Sequence, residues 1–180
     1  MNKALLIIDA QNDYFPGGKS ELFHAEIALS NIENALALFR ANNLPVIHVQ
    51  HINTRKGATF FLPETEGVKI HKNLVPKDNE HVVIKHYPNS FLQTNLAEIL
   101  IEHNISHLVI CGMMSHMCVD TTTRACMDFA IKPTLLSDAC ATKDLTYAGN
   151  KIPAETVHNA FMASLSGMFA AVIKTADLTI

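Results

Sequence analysis

Three side chains in this sequence carry groups that together could cleave a carbonyl compound: the carboxylate of Asp9, the ammonium of Lys85 and the thiol of Cys118. A free thiol has a pKa of about 8.5 and is mostly protonated at neutral pH. A carboxylate beside it can take the proton during attack. That same carboxylate opposes a standing thiolate, so a cation is needed to balance two developing negative charges. Lys85 has the charge and the reach, and a helix starting just after Cys118 would add partial positive charge. Each residue also has an ordinary explanation. An Asp can cap a strand, a Lys after Val82-Val83-Ile84 can end a strand in solvent, and a Cys near a helix start can simply pack. Joint placement decides between these readings.

The elements that must position them alternate along the chain. Ala4–Asp9 is a short apolar run ending at an acid, as in a strand buried on both faces. Glu26–Arg40 has Ile27, Leu29, Ile32, Leu36 and Phe39 at mostly helical spacing, broken by Asn42-Asn43 and Pro45. Val46–Val49 is the second strand. His51–Glu80 is polar and punctuated by Gly57, Pro63, Gly67 and Pro76, which gives a long loop of functional length with room for a short helix. Strands follow at His81–Lys85, His107–Cys111, Thr134–Ser137 and Phe169–Ile173. Helices are expected at Asn95–His103, Val119–Ala130 and Ala154–Met168, the last opened by Pro153. Repeated strand–helix units with near-continuous apolar strands predict one α/β domain over 1–180, a three-layer αβα sandwich around a parallel sheet. Ligands bind such sheets beyond the carboxyl ends of the strands. Asp9 and Lys85 end the first and third strands, and Cys118 follows the fourth.

Bulk properties narrow the function classes. The chain has 180 residues, 48% apolar and 17% charged, with a formal charge of −3, so it offers no basic footprint for nucleic acid or anionic lipid. The opening Ala4–Ile8 run is too short for a signal peptide, and no apolar run approaches the ~18 residues of a membrane span. Cys111, Cys118, Cys126 and Cys140 form no CxxC pair, which fits free thiols in a reducing cytoplasm.

Four blocks give the chain a family resemblance. They are Leu6-Ile7-Ile8-Asp9-Ala10-Gln11-Asn12-Asp13-Tyr14-Phe15, Ile84-Lys85-His86-Tyr87-Pro88-Asn89-Ser90-Phe91, Val109 to Val119 running on to Thr122 and Arg124, and Ser137-Asp138-Ala139-Cys140-Ala141-Thr142. In this order they resemble the isochorismatase-like cysteine hydrolases, among them nicotinamidases and N-carbamoylsarcosine amidohydrolase. The resemblance implies a Rossmann-like doubly wound sheet of six strands, ordered 3-2-1-4-5-6, with Asp9, Lys85 and Cys118 as a catalytic triad. It implies a cis peptide before Met114 and an oxyanion hole made by the Met114 and Cys118 amides. The implied reaction is amide hydrolysis through a thioester on Cys118, with Asp9 as acid and base.

The departures matter as well. Nicotinamidases of the family carry an Asp-x-His metal motif where this chain has His51-Ile52-Asn53, so no metal and no cofactor are expected. His48 and His51, three apart on a strand, would face opposite sides. Phe15, Asn53, His86 and Met114 are expected around the substrate, beside Phe60-Phe61-Leu62. His116 fits a pocket rim, and Cys111 and Cys126 fit packed thiols. Isochorismatases proper lack the cysteine, so Cys118 argues against vinyl-ether cleavage. That reaction and a redox-active thiol protein are the alternatives. The expected partner is a small molecule, with no nucleic acid or membrane, and relatives assemble as dimers or tetramers.

Overall fold

In the first strand, β1 (Asn2–Ile8), alternate residues enter two separate cores. Leu5 and Ile7 pack with Ile32, Leu36 and Phe39 of helix α1 (Ala25–Ala41). Ala4, Leu6 and Ile8 pack on the other side with Leu96, Ile99 and Leu100 of α2 (Leu96–Glu102). The period of two along a strand makes one apolar run serve both faces. Each large aliphatic side chain buried this way stabilises the fold by about 1.5–3 kcal/mol. The computed structural model describes residues 2–180.

β1 pairs in parallel with β2 (Val46–His51) on one side and β4 (Ile105–Met113) on the other. β3 (His81–Lys85) lies outside β2, and β5 (Lys132–Ala141) outside β4. A short hairpin follows, β6 (Leu145–Tyr147) and β7 (Asn150–Ile152), then α4 (Ala154–Leu165) and the edge strand β8 (Ala171–Ile173). The sheet order is β3-β2-β1-β4-β5-β8, the expected order with the hairpin counted in. Strand order reverses between β1 and β4, so the crevice for a ligand opens there.

Two differences from the sequence expectations have local causes. The hairpin turns at Ala148 and Gly149, both at positive φ, and three-residue arms are too short for periodicity to reveal. The helix expected from Val119 to Ala130 is three pieces: a π-helical turn (Ser115–Val119), α3 (Asp120–Ala125) and a 3-10 turn (Cys126–Phe129). At Gly112 of β4, φ is +119° and a Cβ would lie 2.0 Å from the Ile8 carbonyl oxygen. Only glycine lets β4 approach β1 so closely, just before both strands release their loops.

Candidate active site

Asp9 leaves β1 in the left-handed region, at φ 50°, with its N–H on the Val49 carbonyl and its own carbonyl accepting from Gln11 N. Non-glycine residues rarely hold this conformation, and it tends to occur where function requires it. Lys85 is the last residue of β3 and sits in register with His51 of β2. Cys118 is carried by the π-helical turn after β4, whose Met117 and Val119 N–H groups both donate to the Met114 carbonyl. Asp9 and Lys85 are 0% exposed and Cys118 is 3% exposed.

The three side chains meet. The Lys85 Nζ lies 2.8 Å from Asp9 Oδ2 and 3.2 Å from Cys118 Sγ. It also donates to the Tyr87 carbonyl at 3.1 Å and lies 3.0 Å from His51 Nδ1. The contact with Asp9 is short but not directed as a hydrogen bond, and neither carboxylate oxygen has an aligned donor. A buried carboxylate in that condition keeps acceptor capacity in reserve.

The charges follow from burial. Burial raises the Asp9 pKa above the ordinary carboxylate value, against the opposing pull of Lys85. Burial also opposes the charge on Lys85, but Asp9 and Cys118 outweigh it and the ammonium is held firmly. The Cys118 thiol is pushed up by burial first and Asp9 second, with Lys85 pulling the other way. Burial and Asp9 thus favour the protonated thiol, while Lys85 favours the thiolate. The helix contributes little because α3 begins two residues later, at Asp120. Burial pushes Cys126 and Cys140 up to about 12 and raises Cys111 as well; all four cysteines are free and buried.

His51 was not singled out as a site residue by sequence. Its backbone is clamped by Gln11, which accepts from His51 N and donates to His51 O. Burial, then Lys85, lowers its pKa to about 3, so it is a neutral imidazole at physiological pH. The parallel register opposite Lys85 is the signal that would have found it. His48 points to the other side of β2 and bonds Glu80 at 2.9 Å.

Aromatic rings cover the cluster. Tyr14, from the turn after β1, packs edge-on against Phe61 with centroids 4.5 Å apart and touches Phe60 at 5.8 Å. Burial raises the Tyr14 pKa, with Cys118, Asp9 and Asp13 adding to it. Phe15 is buried and packs on His71 with centroids 4.5 Å apart. Phe61 N donates to Asp13 Oδ2 at 2.6 Å, and Asp13 Oδ1 accepts from Lys19 N. Asn53 N donates to the Phe61 carbonyl, and Asn53 Oδ1 caps Arg55 N. His86 is exposed and its ring pairs with the Ile52 carbonyl. Met114 is buried next to Ser115 and follows a cis peptide bond. His116 is half-buried on Thr142 Oγ1.

The more open cavities lie elsewhere. One of about 280 Å³ is lined by Phe23, Ile27, Cys140, Thr142, Glu155 and His158 and includes none of the triad. Chemistry outweighs size in choosing the site, because that cavity gathers no nucleophile with its own base. Of the residues standing at the nicotinamidase metal motif, His51 turns to Lys85 and Asn53 is engaged by its own loop. Among the described residues, one group of three could hold an ion: Asp9, His51 and Cys118.

A doubly wound sheet with a buried acid, ammonium and thiol at its switch point defines a hydrolase of the α/β class, and comparison with known proteins specifies it. The isochorismatase domain model matches residues 3–177. The chain is 48% identical over 175 residues to the uncharacterized isochorismatase family protein YddQ of Bacillus subtilis, covering 97% of each. An isochorismatase structure from Pseudomonas putida superposes with TM-score 0.93 at 38% identity, covering 99% of this chain and 90% of that one. Streptothricin hydrolase of Streptomyces noursei is 31% identical over 146 residues, covering 81% of this chain and 52% of that protein. N-carbamoylsarcosine amidase from Thermoplasma acidophilum shares the fold, with TM-score 0.85 at 19% identity over the full length of both. The chain belongs to the isochorismatase family and is a hydrolase. No helix is long and apolar enough to cross a membrane among the described residues.

Proposed function

We propose that the protein cleaves the C–N bond of a small amide or carbamoyl compound through a thioester on Cys118. Asp9 takes the thiol proton as sulfur attacks the carbonyl carbon, and the S–C bond forms. The Met114 and Cys118 N–H groups hold the oxyanion, a type of contact worth ~10²–10³-fold in rate per donor. The C–N bond then breaks, and the leaving nitrogen takes the proton from Asp9. Water attacks the thioester, gives a proton to Asp9, and the C–S bond breaks as that proton returns to sulfur. Lys85 stays charged throughout and offsets the negative charge as it moves between carboxylate, sulfur and oxyanion.

The observation that carries this reading is the Asp9 carboxylate: buried, 2.8 Å from a held ammonium, and without an aligned donor on either oxygen. It can accept the proton that the Cys118 thiol gives up. The rings of Tyr14, Phe60 and Phe61 favour a partly apolar acyl group, and the likeness to a streptothricin hydrolase and to an N-carbamoylsarcosine amidase supports an amide or carbamoyl substrate. A panel of small amides and carbamoyl compounds, read by ammonia or amine release and by the mass of the protein, tests the proposal. An acyl adduct on Cys118 is expected. Turnover that persists in both Cys118→Ala and Cys118→Ser would refute it.

A further inference from the structure

The Lys85 ammonium has four neighbours, and three of them are metal ligands by chemistry: Asp9 Oδ2 at 2.8 Å, His51 Nδ1 at 3.0 Å and Cys118 Sγ at 3.2 Å. Donor atoms of these three side chains lie within 4.8 Å of one another. Around tetrahedral zinc such donors stand about 3.3–3.8 Å apart, so closure of about 1 Å would complete three coordination positions. Carboxylate, imidazole and thiolate form a set that suits Zn²⁺ and Co²⁺ and excludes the harder Mg²⁺ and Ca²⁺. We propose that Asp9, His51 and Cys118 form a latent site for a soft divalent metal, in which the Lys85 ammonium is the resident cation and an arriving ion competes with it.

Further observations support this. The His51 Nδ1 faces the cluster, 3.0 Å from the Lys85 Nζ. Its ring position is fixed through the Gln11 clamp on its backbone. Both Asp9 oxygens lack an aligned donor. Binding requires the Cys118 thiol to release its proton to solvent, and the ammonium to swing aside still charged. A bound ion would therefore silence the enzyme by engaging base and nucleophile together. The ligand set shares only His51 with the positions of the nicotinamidase motif; Asp9 and Cys118 come from other strand ends.

The metal site rests on the same side chains as the proposed hydrolysis but not on the bond cleaved. Sulfur-bound cobalt in a protein that hydrolyses no amide would sink only the earlier reading. Amide hydrolysis without sulfur-bound cobalt would sink only this one. The test titrates chelator-treated, desalted protein with Co²⁺ and reads the sulfur-to-cobalt charge-transfer band in the near ultraviolet. Lys85→Met is expected to bind one equivalent with that band, about tenfold or more tighter than the wild type because the competing charge is gone. Adding His51→Ala is expected to weaken binding by about 10–100-fold, and adding Cys118→Ser to remove the band. Cobalt taken by the surface pair His81 and His103, whose Nε2 atoms lie 3.0 Å apart, would show no sulfur band and would overturn the proposal. So would equal affinity with and without His51. Should Lys85→Met not fold, the wild type decides: one equivalent of Zn²⁺ is expected to slow alkylation of Cys118, followed by peptide mass spectrometry, with EDTA restoring it. Unchanged alkylation would overturn the assignment.

Discussion

Two acids inside this protein face basic partners, and their surroundings treat them in opposite ways. Glu80, with its side chain 4% exposed, accepts from Arg40 Nε and Nη2 at 2.7 and 2.8 Å and from Lys77 N at 3.0 Å, and its Oε2 lies 2.9 Å from His48 Nε2. Asp9 has an ammonium at 2.8 Å but no aligned donor. Burial raises both acids, yet the hydrogen bonds at Glu80 outweigh it and lower the pKa to about 2, while at Asp9 burial wins. Saturated hydrogen bonding makes the first acid a fastener between α1, β2 and the entry to β3. The second is left able to accept a proton, which a fastener has no need to do.

Breaking the reactive cluster should have the largest effect. Cys118→Ala and Cys118→Ser are each expected to lower kcat/KM on an accepted amide at least about 10³-fold, measured against folded protein of matching circular dichroism. Asp9→Asn removes the base while keeping the shape, and a loss of about 10²–10⁴-fold is expected in the same assay. At the other acid, Glu80→Gln is expected to cost roughly 2–4 kcal/mol in urea denaturation, with kcat/KM per folded molecule unchanged. A loss of catalysis there would erase the contrast between the two acids.

Acid titration sharpens the same contrast through opposite signs. Glu80 binds its proton less readily when folded, so its contribution is complete above 4.5 and is lost as pH falls toward about 2. Asp9 binds its proton more readily when folded, so between 3.8 and its raised value acidification favours the folded state through this residue. Protonating Asp9 also removes the base. The acid limb of kcat/KM is therefore expected above 3.8, while the Glu80 contribution is still complete at the limb's upper end. Parallel pH profiles of activity and of urea midpoint, in wild type and Glu80→Gln, check both signs. This effect is the smallest.

The parallel sheet and the residues at its carboxyl edge were legible because each strand is a short apolar run ended by a polar residue or a glycine, while the strand order came from the family resemblance. Asp9, Lys85 and Cys118 could be placed on one edge from that alone. His51 was not legible, since its role depends on register with Lys85 across two strands separated by a long loop. Nor was the packing of Tyr14 against Phe60 and Phe61, because a 3-10 turn at Asn12–Tyr14 sets which ring faces which neighbour. The weight of burial at Cys118 was hidden for a different reason. Charges can be counted from sequence, but the desolvation that dominates them appears only once the packing is known.

Asp13 ties the Phe61 amide to the turn after β1, and Gly67 lies so close that a Cβ there would strike the Asp13 carboxylate at 2.1 Å. With Asp13 N also donating to the Gly67 carbonyl, one residue holds the chain between Phe61 and Gly67 at both ends. Cys118 is only 3% exposed, so a molecule meets the sulfur only where side chains around it move aside.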